Sequence, residues 1–327
     1  MANTFADTFE FRAYRDGDEA AWNALVAASP NGTFLFDRRF MGYHADRFDD
    51  ASLLVERRGK LVAVLPAHRL GDRVASHGGL SYGGLVLADT LGAQATWVLM
   101  QALQQHWRNE GVRELLYKTT PAIYHRLPCE DDRWALLRCG AQLVRRDALS
   151  VIGPTPAHWP PRRRRAITQT TRQREELGFA AHSGASADAA ADWAGFWALL
   201  DQQLQARHGS KPVHSLAEIL LLAGRFPGRI GLRLARWSGR TVAGLVLFET
   251  DTVLHLQYMA ADEQGRRCAA LDLLLEQAIA QAQAGGKWFD FGHSNEDQGR
   301  VLNAGLAFYK ESFGASTIVH DHYLLPC

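Results

Sequence analysis

The order of apolar and polar positions along the chain occurs twice. Apolar or β-branched runs flank a polar glycine turn within Leu54–Pro66, and the same arrangement returns within Leu234–Val246. Such runs around a polar turn predict β-hairpins. A further strand is predicted after each hairpin, over Val74–Val86 in the first half and over Thr252–Met259 in the second.

A helix and then another strand are predicted next in both halves. Apolar residues recur at helical spacing within Ala95–Glu110 and Ala269–Ala284, and a glycine follows each segment where a helix would end. The strands that follow are predicted at Val112–Tyr117 and Lys287–Phe291. The hairpins are offset by about 180 residues and the glycines after the helices by about 175, so we interpret the pattern as an internal duplication.

A proline-rich stretch separates the two halves. Gly153–Pro161 holds four prolines in nine residues. Neither a helix nor a central strand sustains that density of proline, because each one removes a backbone donor. We therefore predict one domain over residues 1–155 and a second over residues 156–327.

Composition narrows the class of protein. A chain of 327 residues with 47% hydrophobic and 22% charged residues is typical of a soluble globular protein of two domains. Its net charge of +1 gives no global attraction to nucleic acid or acidic membranes, so a polyanion site requires local clustering. The sequence shows no CxxC pair, signal peptide or membrane-spanning apolar run, which favours a cytoplasmic protein without a zinc or redox motif.

Arginine clusters directly after the prolines. Six arginines occur in the thirteen residues 162–174, and in a helix Arg165 and Arg172 would share one face. Arginine matches phosphate oxygens bidentately, so this cluster favours a phosphate-binding helix. A solvated surface helix is the alternative, because Glu175 and Glu176 offset part of the charge.

The segment Gly286–Gly314 brings ionisable groups to the end of a predicted strand, where α/β enzymes place their chemistry. Asp290 lies within that strand and should point away from the phenylalanines on either side of it. The loop that follows contains His293, Glu296 and Asp297. Their spacing matches no standard metal motif, so we predict no metal site there.

Several well-known motifs are missing from the sequence. No GxSxG elbow, P-loop or GxGxxG occurs, which weighs against a hydrolase of that type, an NTPase or a dinucleotide enzyme. The glycine-rich run His77–Gly84 would either line a substrate cleft or form a bulged hairpin.

Three motifs, taken in order, carry a family resemblance. They are a basic helix after Pro161 that leads to Gly178-Phe179, a strand that ends in Asp-Phe-Gly at Gly292, and Phe308-Tyr-Lys-Glu-Ser-Phe-Gly314 near the C-terminus. The chain thereby resembles acyltransferases of the GNAT superfamily, and within it the FemAB-like branch with its BioF2-like acetyltransferase domain.

The resemblance implies an α/β (α+β) fold with two GNAT-like domains in tandem, each a mixed, mostly antiparallel sheet flanked by helices. It also implies transfer of an acyl group from acyl-CoA, as a co-substrate, to a primary amine of an amino sugar, amino acid or peptide. No cofactor would be bound permanently. A non-catalytic GNAT-fold binding protein is the alternative from another class.

The resemblance also implies where the acyl donor binds. Acetyl-CoA-dependent GNAT enzymes carry a Q/R-x-x-G-x-G/A loop whose amides hold the pyrophosphate before the long helix. The matching positions in this chain are Gln264, Gly265, Arg266, Arg267, Cys268 and Ala269. Arg267 stands where the central glycine is expected, although Arg266 and Arg267 would supplement the helix-start amides. Aminoacyl-tRNA, a donor in the FemAB-like branch, is therefore the alternative and would suit the arginine-rich segment.

The implied mechanism is direct attack of the amine on the acyl donor. The amine must lose a proton, for which Asp290, His293 or Glu296 is the candidate base. The tetrahedral oxyanion needs a donor, and a strand amide, Tyr258 or Lys310 is the candidate for that role.

Overall fold

The computed structural model describes residues 8–155 and 176–327. The strands within these ranges are β1 (Phe9–Ala13), β2 (Asp49–Asp50), β3 (Leu53–Arg57), β4 (Lys60–Leu65), β5 (His68–Leu70), β6 (Arg73–Ala75), β7 (Val86–Leu87), β8 (Glu114–Lys118), β9 (Gln142–Ile152), β10 (Leu177–Ser183), β11 (Ile230–Trp237), β12 (Arg240–Glu249), β13 (Val253–Ala261), β14 (Trp288–His293), β15 (Asn295–Glu296), β16 (Val301–Leu302) and β17 (Ser316–Pro326). The α-helices are α1 (Glu19–Ala28), α2 (Arg38–Met41), α3 (Ala93–Asn109), α4 (Asp131–Arg138), α5 (Ala190–His208), α6 (Leu216–Arg225), α7 (Glu263–Arg267), α8 (Ala270–Ala284) and α9 (Ala304–Glu311).

The described residues form two compact units. The first contains residues 8–147 together with Asp297–Arg300 and Val319–Cys327, and the second contains Ala148–Glu296 and Val301–Ile318. The domain boundary between residues 155 and 156 stays a prediction. The arginine-rich segment with Arg165 and Arg172 lies outside the described residues, so its predicted helix and phosphate site also stay predictions.

The first unit packs helices against two groups of strands. One group is antiparallel in the order β1-β3-β4-β7, and in the other β8 lies between β6 and the part of β17 from Val319 onward. Helix α3 buries Leu99, Met100 and Leu103 on one face, which matches the apolar spacing expected of an amphipathic helix. These side chains join strand residues such as Leu115 in a single core.

The second unit is built on strands in the order β10-β11-β12-β13-β14. The pairs up to β13 are antiparallel, β13 and β14 are parallel, and β14 pairs antiparallel with residues 149–152 of β9. Helix α8 covers one face and contributes Leu274 and Ile279 to a core with Phe289, Phe291 and Phe313. The architecture is mixed α/β with mostly antiparallel pairing, as predicted.

The hairpins of the two units share their turn geometry. Arg58 and Gly59 both have positive φ, of 54° and 70°, and Ser238 and Gly239 have 49° and 79°. Positive φ at both central residues is the requirement of the type I′ two-residue hairpin turn, and glycine adopts it without strain. Each hairpin also carries a bulge two residues before the turn, between Val55 and Glu56 in one and Ala235 and Arg236 in the other.

One predicted strand of the first unit is wrong. Residues 74–86 are not continuous, because β6 ends at Ala75 and β7 begins at Val86. The glycine-rich run lies between them and packs closely on neighbouring side chains. A Cβ on Gly79 would lie 2.0 Å from His44 Nε2. The predicted strand is therefore divided by a segment that packs through its glycines.

None of the helices in the two described ranges combines the length and the apolar character that crossing a membrane requires.

Candidate active site

A short parallel ladder marks the centre of the second unit. β13 and β14 pair over three positions, from Val253↔Trp288 to His255↔Asp290. β13 then continues to Ala261, while β14 pairs on its other side with β9. Because the two strands separate after the third pair, the side chains at that pair lie where the sheet opens.

A bulge in β13 places two polar side chains on one face of the sheet. His255 pairs with Phe248 and Tyr258 pairs with Val246, so Gln257 is the extra residue. Positions 246 and 248 share a face of β12, and His255 and Tyr258 consequently share a face of β13. Without the bulge, strict alternation would place Tyr258 on the opposite face.

His255 and Asp290 form a hydrogen-bonded pair. His255 Nδ1 lies 3.0 Å from Asp290 Oδ2, and the backbone N–H of Gly292 donates to Asp290 Oδ1 at 2.7 Å. The carboxylate side chain is 2% exposed, whereas the imidazole is 17% exposed. A carboxylate that accepts from Nδ1–H leaves Nε2 as the nitrogen that takes a proton. This geometry suits a histidine base that a buried acid orients.

Lys310 supports the turn that follows Asp290. Its ammonium donates to the carbonyl oxygens of Gly292 at 2.9 Å and His293 at 2.8 Å, and the residue is 2% exposed. Burial lowers the pKa of Lys310 to about 8, although the nearby Asp290 carboxylate opposes that shift. This ammonium fixes the backbone of the strand end beside the histidine–aspartate pair.

Tyr258 is held by a histidine from a neighbouring segment. Its hydroxyl lies 2.6 Å from His214 Nδ1 and accepts from the His214 backbone N–H at 3.3 Å. Burial raises the pKa of Tyr258, so the phenol is neutral near pH 7. The Trp197 ring packs edge-on against it at 5.4 Å between ring centroids. Tyr258 is therefore a fixed, neutral hydroxyl on the His255 face.

A cleft of about 550 Å³ lies where β13 ends and α7 begins. Its lining includes the predicted donor-loop residues Gln264, Arg266 and Arg267, together with Arg240 from the hairpin turn. Asp262 begins α7, and its side chain accepts from the backbone N–H of Gly265 at 2.7 Å. This N-terminal cap fixes the loop that the sequence motif points to.

Gly265 has no space for a side chain. A Cβ there would lie 2.2 Å from the carbonyl oxygen of Val242, and the residue is buried. Ala269 adopts a left-handed conformation, with φ of 50°, at the junction of α7 and α8. The loop therefore packs directly on strand β12, with its backbone close to the sheet.

Ion pairs already engage two of the three arginines in this cleft. Arg240 lies 2.7 Å from Asp262, and Arg267 lies 2.5 Å from Glu263. Arg266 donates to the backbone oxygen of Ala261 at 2.6 Å. Guanidinium groups carry five N–H donors, so each retains the capacity to bind an anion. Exposed ion pairs of this kind contribute little to stability and exchange partners readily.

Comparison with known proteins agrees with this geometry. Residues 161–310 match the family model of the acetyltransferase (GNAT) domain. The match spans slightly less than half of the chain, and these residues are similar to a GNAT domain. No curated protein sequence matches the chain at a significant level.

Solved structures extend the fold to nearly the whole chain. FemX is similar at 11% identity, with a TM-score of 0.64 and 97% of each chain covered. The C-terminal domain of a predicted lysylphosphatidylglycerol synthetase from Agrobacterium fabrum is similar at 13% identity and a TM-score of 0.60, covering 94% of this chain and 91% of that one. A tandem GNAT protein from the clavulanic acid biosynthesis pathway has 12% identity, a TM-score of 0.51 and 98% of each chain covered. The predicted fold of two GNAT-like domains in tandem is confirmed.

The structure brings together only part of the predicted site of the second unit. Asp290, Lys310 and the backbone of His293 are adjacent, whereas the exposed Glu296 accepts from the Asn303 amide at 2.7 Å in the β15–β16 hairpin. His293 is exposed and its Nδ1 lies 3.1 Å from the Asn295 carbonyl oxygen. The roles of all these residues stay predictions.

The sequence analysis missed two residues of the second unit that the geometry favours as site residues. His255 carries the only imidazole of β13, and its polarity within the run VLHLQYM was the available signal. Arg240 follows the hairpin glycine in sequence, where a basic residue suits any exposed turn. Its position in the cleft depends on the fold, so no local pattern could indicate it.

Proposed function

We propose that this chain transfers an acyl group from acyl-CoA to a primary amine of an amino sugar, amino acid or peptide, with the donor bound in the second unit. The observation that carries the proposal is the cleft of about 550 Å³ at the start of α7. It lies at the end of the bulged strand and contains the residues that match the GNAT donor loop. The family match over residues 161–310 supports the same reaction class.

A difference between the two units supports a donor site in the second unit. The backbone N–H of Asp262 donates to the Val242 carbonyl at 3.0 Å, and that of Ala88 donates to the Val62 carbonyl at 2.8 Å, at equivalent points of the duplication. From there the second unit forms α7 before its long helix. The first unit reaches α3 through Asp89–Gly92 alone. Only the second of these connections has the length and the arginines to hold a pyrophosphate.

The reaction requires a base, for which we propose His255. The amine nitrogen attacks the thioester carbonyl carbon, a C–N bond forms and the C–S bond breaks. The proton of the amine passes to His255 Nε2, while Asp290 holds Nδ1–H and stabilises the imidazolium. The departing CoA thiolate takes up a proton from solvent, which balances the reaction.

The oxyanion requires a hydrogen-bond donor, for which we propose Tyr258. When His214 Nδ1 carries its proton, the Tyr258 hydroxyl accepts twice from His214 and keeps its own O–H to donate. Lys310 was the other candidate. Because two carbonyl oxygens hold its ammonium, we assign it the positioning of the strand end.

Acetyl-CoA binding tests the donor site. By calorimetry, Arg266→Ala should weaken binding about 10-fold or more, because a charge-assisted bond to phosphate is lost. Arg229→Ala is the matched control, since Arg229 is a partly exposed arginine of the same unit that pairs with Asp251 at 2.8 Å. Equal effects of the two substitutions would overturn the site. Mass spectrometry with a panel of primary amines would then show whether bound acetyl-CoA yields an acylated product.

Aminoacyl-tRNA is the second candidate donor, and the replacement of the loop glycine by Arg267 favours it. The likeness to FemX is compatible with this donor, since the FemAB-like branch includes such enzymes. If the protein does not bind acetyl-CoA but is retained on aminoacylated tRNA at low salt, the aminoacyl-tRNA donor is supported. Absence of both would favour a non-catalytic binding protein.

A further inference from the structure

Two histidines and an aspartate meet in the first unit, away from the residues discussed above. His320 and His322 alternate along β17 and therefore share a face of that strand. Their ring centroids lie 4.7 Å apart. Asp147, in β9, completes the group, and one ligand atom of each residue lies within 4.8 Å of the other two. This group of three is called the HHD cluster below.

The HHD cluster is buried and presents imidazole nitrogens that lack partners. Asp147 is 2% exposed, His320 6% and His322 8%. The Nε2 atoms of both histidines have no hydrogen-bond partner among the described residues. An imidazole nitrogen without a hydrogen-bond partner is available to ligate a metal ion.

The charged groups around the HHD cluster have partners of their own. Arg145 binds Asp147 through Nε at 3.0 and 2.9 Å and through Nη2 at 2.7 Å. Lys118 donates from Nζ to the Leu80 carbonyl at 2.6 Å. Neutral imidazole is the form that ligates a metal.

We propose that Asp147, His320 and His322 bind a divalent transition metal ion, with Zn²⁺ as the best-matched ion. Two imidazole nitrogens and one carboxylate oxygen are the donor set of three-ligand zinc sites with one open position. Tetrahedral ligands at zinc-ligand distances lie about 3.4 Å apart. His322 Nε2 and Asp147 Oδ2 are already 3.8 Å apart. Small rotations of the side chains therefore close the site without movement of the strands.

Arg145, which pairs with Asp147, should lower the affinity of the HHD cluster for a metal ion. A metal ion shares the carboxylate with Arg145 and adds two positive charges beside a guanidinium and Lys118. A hydroxide or a carboxylate at the open position would reduce that excess charge. The HHD cluster should therefore bind Zn²⁺ more weakly than an all-cysteine site, and without the first unit depending on the metal to fold.

The test titrates metal-free, full-length protein with Zn²⁺ by calorimetry, and with Co²⁺ by visible absorption. We expect one equivalent bound, and a cobalt spectrum without a thiolate charge-transfer band, although the chain has free cysteines. His322→Gln should weaken Zn²⁺ binding at least about 100-fold. His106→Gln is the control, because His106 belongs to the same unit and stacks on Phe11 at 4.9 Å between ring centroids.

Variants that fold poorly would not decide the question, so thermal unfolding without metal is measured for each one. His320→Asn is the second cluster variant and should also lose binding while unfolding as a native protein does. Equal affinity in the wild type and both folded cluster variants would overturn the proposal, as would a thiolate band with cobalt. None of these measurements uses acetyl-CoA, so the outcome is independent of the proposed acyl transfer.

Discussion

The two units build the same parallel ladder and place different side chains on it. In the first unit β6 and β8 pair from Arg73↔Glu114 to Ala75↔Leu116, and in the second β13 and β14 pair from Val253↔Trp288 to His255↔Asp290. Both ladders span three pairs. At the third pair, the first unit has two apolar residues and the second has a hydrogen-bonded histidine and aspartate. The ladder therefore forms without ionisable groups at its third pair, so the fold does not require His255 and Asp290 there.

The strand that leads to the long helix also differs between the two units, and again only the second unit has the features of a site. In the second unit β13 runs unbroken to α7, where the arginine-lined cleft lies. In the first unit the glycine-rich run divides the corresponding strand into β6 and β7. The two units share their backbone scaffold, while the chemistry that we propose for acyl transfer is present in the second unit alone. Four substitutions test that conclusion, given below from the largest expected effect to the smallest.

Asp290→Asn should lower kcat/KM for acyl transfer by about 10²- to 10⁴-fold, because the amide no longer orients His255 or stabilises its charged form. Leu116→Met is the control at the equivalent ladder position, and steady-state kinetics with the amine identified by mass spectrometry should find it within about 2-fold of the wild type. A loss under 10-fold in Asp290→Asn would remove the histidine–aspartate pair from the mechanism.

Gly265→Ser should destabilise the protein by about 1–3 kcal/mol, because the added Cβ meets the Val242 carbonyl oxygen. Gly92→Ser in the first unit should change stability by less than about 0.5 kcal/mol, because a Cβ at Gly92 has no described atom within 4 Å and serine is a good N-cap for α3. Urea denaturation compares the two. Equal effects would show that the donor loop does not pack closely on β12.

Arg240→Ala should weaken acetyl-CoA binding about 3- to 10-fold, because one partly exposed phosphate contact is lost. Lys60 occupies the same place after the hairpin glycine of the first unit, so Lys60→Ala should leave the dissociation constant unchanged. Calorimetry at low and physiological salt measures both. If Lys60→Ala weakens binding and Arg240→Ala does not, the donor belongs to the first unit.

Lys310 should make a small contribution to the free energy of unfolding, and that contribution should depend on pH. Its folded pKa of about 8 lies below the ordinary value of 10.5, so the unfolded chain binds more protons between these values. The free energy of unfolding should therefore rise with pH over that window in the wild type, relative to Lys310→Met. Parallel urea titrations at pH 7.5 and 10 measure the difference. A difference that is independent of pH would mean that the ammonium is not desolvated by folding.

Much of the fold follows from local patterns. The spacing of apolar residues predicts α3 and α8 to within two residues at each end, and the glycine turns predict both hairpins, because helix and hairpin signals act over short distances. The strand over residues 74–86 was wrong, because periodicity does not reveal that Gly79 must fit against His44. Packing of that kind is decided by residues distant in sequence.

Local sequence patterns predicted less of the candidate site than of the fold. Asp290 was recognised from its place between phenylalanines, but its partner His255 lies 35 residues away and meets it through parallel pairing. The bulge at Gln257 changes the face of Tyr258, and it is a property of strand register that residue type does not encode. Contacts across a sheet depend on topology, so the sequence could name candidates without assembling them.

Hydrogen–deuterium exchange with and without acetyl-CoA tests most directly whether the second unit holds the donor. The account predicts slower exchange of backbone amides in residues 262–270, where α7 and the start of α8 would contact the pyrophosphate. The equivalent connection of the first unit, residues 88–93, should exchange at an unchanged rate. Protection of residues 88–93, or no protection of residues 262–270 at saturating acetyl-CoA, would contradict the account.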